Sequence, residues 1–137
     1  MSSVITAKIL QVKFESHYDV TYEGLVELGA GTVVVTQMIG DYQGDYHFLV
    51  KDGENYAHVV TGYGSCSGCD ALQDCEESFS KIAELGNDIC GSVLWKSQEE
   101  ILRHIEEHDA DGAWYGEKKE QWASFQQEVR NYFSQRS

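Results

Sequence analysis

The side chains in this sequence best suited to chemistry are its cysteines. All four fall between positions 66 and 90, in the spacing C-x2-C-x5-C-x14-C. Cys66-Ser67-Gly68-Cys69 offers two soft ligands from one tight turn, and Gly68 permits the backbone geometry such a turn needs. A zinc ion held there takes its remaining ligands either from Cys75 and Cys90 or from His104 and His108, which stand four residues apart on an expected helix. An iron–sulfur cluster is allowed by the ligand count, but the spacing matches neither common ferredoxin run. In a redox reading Cys66 attacks and Cys69 resolves, and a thiolate is favoured where the pair meets a helix start. Against these stands ordinary burial. Cys75 shares an apolar stripe with Leu72 and Phe79, and Cys90 lies beside Ile89.

Other signatures are weaker. The string His104-Ile105-Glu106-Glu107-His108 matches the HxxEH of inverted zinc peptidases, but Glu-rich helices generate such strings readily and the chain is small for a peptidase. His17, His47 and His58 are scattered among expected strands, where a histidine is ordinarily a cross-strand neighbour; His58 is close enough to the CxxC turn to serve as an alternative ligand. Gly29-Ala30-Gly31 lacks the third glycine of a dinucleotide loop, no GxxxxGK occurs, and Gly64-Ser65-Cys66-Ser67-Gly68 is not a serine elbow. The chain contains no proline, which excludes folds that depend on a cis-proline and counts against a thioredoxin-like reading of the CxxC.

The elements that must position these residues divide the chain in two. Residues 1–65 read mainly as strands: Val4 to Phe14 opens the chain, and Thr32 to Ile39, Tyr46 to Lys51 and Asn55 to Tyr63 follow. Turns at Asp41-Tyr42-Gln43-Gly44-Asp45 and at Asp52-Gly53 make the last three a β-meander. Residues 66–137 read mainly as helices. Leu72, Cys75, Phe79, Ile82 and Leu85 form one helical face ending near Gly86-Asn87. Ser97 with Glu100 caps a second helix bearing Ile101, Leu102 and Ile105, and Trp122, Phe125, Val129, Tyr132 and Phe133 mark a third. The expectation is a single α+β domain over residues 1–137, an N-terminal antiparallel meander with about three C-terminal helices packed on one face.

Charge narrows the choice of partner. The 137 residues carry 23 acidic and 10 basic side chains, a net −13. Such a field repels a polyanion, so direct nucleic-acid binding is disfavoured and a basic protein is the complementary partner. No apolar run reaches membrane-spanning length, and the opening MSSVITAKILQVKFE lacks the pattern of a secretory signal, so a cytoplasmic location is expected. Several tyrosines sit beside acids, among them Asp41-Tyr42 and Asp45-Tyr46. Together these present negative charge and flat ring surface, the profile of a nucleic-acid mimic, and they are the candidate partner contacts.

Over residues 40 to 75, GDYQGDYHFLVKDGENYAHVVTGYGSCSGCDALQDC, the sequence resembles small, largely uncharacterised proteins encoded by phages and prophage-bearing bacteria. The DYQGD turn and the YGSCSGCDALQ segment carry the resemblance. It implies a phage context and no mechanism. Small acidic phage proteins often occupy the nucleic-acid-binding surface of a host defence enzyme, including CRISPR effectors. The expected function is therefore that of a non-enzymatic, anti-CRISPR-like inhibitor of a basic host protein, acting in the host cytoplasm. The alternative is a zinc- or thiol-dependent protein built on the CxxC turn.

Overall fold

The structure, a computed structural model, describes residues 4–40, 44–63, 70–75, 78–107 and 117–136. Helices α1 (Ala7–Lys13) and α2 (Tyr22–Gly29) precede strands β1 (Thr32–Gly40), β2 (Gly44–Asp52) and β3 (Asn55–Tyr63). Helices α3 (Ala71–Asp74), α4 (Phe79–Gly91), α5 (Gln98–Glu107) and α6 (Glu117–Arg136) follow. The three strands form one antiparallel sheet in the order β1-β2-β3, so the α+β class and the meander followed by packed helices stand as expected.

The turn chemistry sets the register. Gly53 has φ +63°, a left-handed conformation that side chains bearing a Cβ rarely adopt, and it closes β2 onto β3 with Asp52 opposite Asn55. Counting back from that pair puts Leu49 opposite His58 and His47 opposite Val60. In β1 the register shifts between Val33 and Val35, which marks a β-bulge. At the outer edge of β3, Tyr56 and Lys96 exchange two backbone hydrogen bonds of 2.7 Å each, tying the α4–α5 connection to the sheet.

Helices cover both faces, and the central strand shows why. Phe48, Leu49 and Val50 are consecutive and fully buried, and successive strand residues point to opposite faces, so each face needs an apolar cover. Leu49 packs with Val35, Ile39 and Tyr56 against Ile101 and Ile105 of α5 and Trp122, Phe125, Val129 and Phe133 of α6. Phe48 and Val50 pack on the other face with Val59 and Tyr63, against Tyr22 and Val26 of α2 and Cys90 of α4. A third cluster, Ile5, Leu10, Val20, Leu25, Cys75, Ile82 and Ala83, joins the helices on that second face to one another. Burying one side chain such as Phe125 contributes about 1.5–3 kcal/mol.

Four expectations are corrected. The helices do not pack on one face: α5 and α6 cover the Leu49 side of the sheet, and α2 and α4 cover the Phe48 side. Val4 to Phe14 is not a strand: Thr6 caps Ala7–Lys13 by accepting from the Ile9 N–H at 3.1 Å, and only Leu10 of the helix is buried. The opening segment thus lacks both the period-2 pattern of a strand and a full helical stripe. The helical face from Leu72 to Leu85 belongs to two helices, because Ser78 starts α4 afresh by accepting from the Lys81 N–H at 3.2 Å. Gly86 does not end that helix. It lies where an added Cβ would come 2.7 Å from Ile5 Cδ1, so its smallness serves close packing. Among the described residues no helix is long and apolar enough to cross a membrane.

Candidate functional site

On the face of the sheet under α5 and α6, three histidines meet in a chain. The register places His47 of β2 and His58 of β3 on one face as diagonal neighbours, and His47 Nδ1 lies 2.9 Å from His58 Nε2. Helix α5 is seated on the same face by Ile101 and Ile105, both fully buried, and this brings His104 alongside. His104 Nε2 stands 3.2 Å from His58 Nδ1. His58 therefore uses both ring nitrogens, one toward each neighbour.

The surroundings are aromatic. The Trp122 ring lies 5.3 Å from that of His47 and 5.8 Å from that of His58, while Phe125 lies 5.7 Å and 5.5 Å from the same two rings. His47 is 2% exposed, whereas His58 and His104 are half-buried, so the chain runs from the sheet interior toward the surface of α5. Each nitrogen-to-nitrogen contact holds one proton, donated from one side and accepted on the other. In a neutral chain the direction of donation is set by which tautomer each ring adopts. Neutral imidazoles in this arrangement can pass a proton or offer lone pairs to a metal ion.

The residues singled out from sequence divide among several places. His104 belongs to the chain just described. Cys75 is buried and its Sγ donates to the Ala71 carbonyl at 3.3 Å. Cys90 is 3% exposed, its Sγ donates to the Leu25 carbonyl at 3.7 Å, and burial pushes its thiol above the ordinary range. The two thiols sit in different core clusters. Asp45 is half-buried opposite Gly62, and the Tyr46 ring packs 4.9 Å from Tyr63, 5.6 Å from Tyr22 and 5.7 Å from Phe48. Asp41, Tyr42, Cys66, Cys69 and His108 lie outside the described residues. Among the described residues no group of three or more His, Cys, Asp or Glu is arranged to hold a metal ion.

The segment that follows the CxxC is anchored. Asp70 is 7% exposed, and its Oδ1 accepts from the Tyr22 hydroxyl at 2.6 Å and from the N–H groups of Leu72 and Gln73 at 3.0 and 3.2 Å. Burial, and after it the bond to Asp70, holds the Tyr22 hydroxyl well above the usual phenol range. This fixes the residue after Cys69 against α2.

Residue types alone make His47 an ordinary strand residue and His58 either a cross-strand neighbour or an alternative ligand to the CxxC turn. The signal that could have joined them was the Asp52-Gly53 turn, since its register alone makes them diagonal neighbours. His104 required the docking of α5, which no local pattern reports. No family model, curated protein or solved structure matches the chain.

Proposed function

We propose that the chain is a non-enzymatic binding protein whose acidic surface engages a basic protein, as a phage-encoded, anti-CRISPR-like inhibitor would occupy the nucleic-acid-binding surface of a host effector in the host cytoplasm. The observation that carries this reading is the surface of α5. In ten residues it exposes Glu99, Glu100, Glu106 and Glu107, with Glu99 3.9 Å from Arg103 and Glu106 bonded to Arg130 of α6 at 2.6 and 2.7 Å, while Ile101 and Ile105 hold the helix to the sheet. The net charge of −13 places that face in a field that draws basic partners and repels nucleic acid. Asp41, Tyr42 and Asp45 at the β1–β2 hairpin are the second candidate contact region. Tyr46 is less suited to it because its ring is engaged in the cluster with Tyr22, Phe48 and Tyr63.

The test is displacement of labelled duplex DNA from CRISPR effectors with basic channels, followed at about 50 mM and about 300 mM salt. Displacement that weakens with salt and disappears in the Glu99→Lys/Glu107→Lys variant is the expected result. Displacement indifferent to both, or none by the folded protein across a panel of effectors at low salt, overturns the reading.

A second reading, a zinc- or thiol-dependent protein using Cys66 and Cys69, draws on the anchored Asp70 beside the pair. It is tested by the pH dependence of alkylation at those two thiols. Half-reaction below about pH 7.5 supports activated thiolates, and an ordinary value near about 8.5 removes the thiol form of this reading.

A further inference from the structure

We propose that His58 and His104 form a binding site for a zinc ion, with His58 Nδ1 and His104 Nε2 as ligands and His47 as the positioning residue behind them. The spacing is the first argument. Two Zn–N bonds of about 2.0–2.1 Å at a near-tetrahedral angle separate their nitrogens by about 3.3 Å, and these two stand 3.2 Å apart. A rotation of both rings, each turning its lone pair from the opposite nitrogen toward a common point, brings one ion within reach of the two.

The second argument is the chain itself. A ligating imidazole characteristically donates its other ring N–H to an acceptor, which fixes the tautomer and the ring orientation. His58 is placed for this arrangement: with Nδ1 on the metal, its Nε2–H donates to His47 Nδ1 across 2.9 Å. Proton accounting closes without release. Each neutral imidazole keeps one proton, on Nε2 in His47 and His58 and on Nδ1 in His104, so each ligand nitrogen presents a lone pair to the ion.

The setting is consistent with a site open on one side. Trp122 and Phe125 wall the inner rings, His104 is half-buried, and the net negative charge favours a divalent cation over an anion. Two protein nitrogens leave further coordination positions to water or to added donors. The site borders the acidic binding surface, because His104 stands on α5 between Glu100 and Glu106, and it differs from a cysteine site in ligand chemistry.

Cobalt(II) is the discriminating probe, used on the full chain stripped with a chelator and free of any metal-binding tag. Visible ligand-field bands without near-ultraviolet thiolate charge transfer are expected. They should vanish in His58→Gln and in His104→Gln, and persist unchanged in Cys66→Ser/Cys69→Ser. His47→Gln should weaken cobalt binding on the order of 10–100-fold. Each variant is first shown to be folded by circular dichroism in metal-free buffer. If a histidine variant does not fold, imidazole 15N signals of the wild-type chain decide, because zinc must shift His58 Nδ1 and His104 Nε2. A thiolate band, cobalt binding that survives loss of both histidines, unshifted nitrogens, or no uptake by the folded wild-type chain overturns the proposal.

Discussion

Asn87 of α4 satisfies both backbone polar groups of Ile5. Its Oδ1 accepts from the Ile5 N–H at 2.7 Å, and its Nδ2 donates to the Ile5 carbonyl at 2.8 Å. One side chain thereby stands in for a strand partner and lets a buried residue enter the core from an irregular segment. Replacing Asn87 by Asp keeps the acceptor but turns an oxygen toward the Ile5 carbonyl. The expected cost is about 1–3 kcal/mol, read as a lower urea midpoint with an unchanged slope.

The bond between Tyr22 and Asp70 predicts both a mutational and an alkaline effect. Tyr22→Phe removes a hydroxyl that donates to a buried carboxylate, and it should cost about 1.5–3 kcal/mol in urea unfolding. The folded-state hydroxyl is held above its unfolded value. Its contribution is therefore complete below the ordinary phenol range and is lost as pH rises above about 10. A stability profile from pH 8 upward should fall in the wild type and fall less in Tyr22→Phe.

The crossing of α2 and α4 is too close for a methyl group at position 29. A Cβ on Gly29 would lie 2.7 Å from Cys90 Sγ and 3.0 Å from Ile5 Cδ1. Gly29→Ala should destabilise by about 1–3 kcal/mol through overpacking, despite the better helix propensity of alanine. Adding Cys90→Ala should recover part of that loss, giving a double variant less impaired than the two single effects summed.

Ser97 and Glu100 form a reciprocal cap at the start of α5: Ser97 Oγ accepts from the Glu100 N–H at 3.2 Å, and Glu100 Oε1 accepts from the Ser97 N–H at 3.1 Å. Ser97→Ala should cost about 1 kcal/mol. The Glu100 carboxyl is held below its ordinary range by its bonds to the Ser97 backbone and hydroxyl. Its support for α5 is thus full above the usual carboxylate range and is lost as pH falls through it. Glu100→Gln should flatten that acid-side loss in a thermal melt series.

The meander was legible because its turn residues and β-branched runs are local signals, and the start of α5 was legible because the capping box is spelled out in four residues. The helix Ala7–Lys13 was not. Ile9 and Val12 resemble strand residues and are exposed, at 41% and 82%, so they offered no buried stripe to read. Helix α2 did carry a pattern: Tyr22, Leu25, Val26 and Gly29, all buried, recur at helical steps. The cover on both sheet faces departs from the expected single covered face, although the unbroken run Phe48-Leu49-Val50 carries its signal. For the site, sequence supplied His104, with His58 as an alternative ligand, but joined it to cysteines. The structure joins it instead to His58 and, through that ring, to His47.

The tie between Ile5 and Asn87 also sets an order of events during synthesis. Ile5 is synthesised before its partner, which lies 82 residues further along the chain. Until α4 has been made, Ile5 and Leu10 cannot reach the cluster that buries them, and their apolar side chains remain available to chaperones while the meander forms from contacts nearer in sequence. Helix α1 is thus among the last to dock, and a ribosome stalled before residue 87 would carry a nascent chain with Ile5 and Leu10 still unpacked.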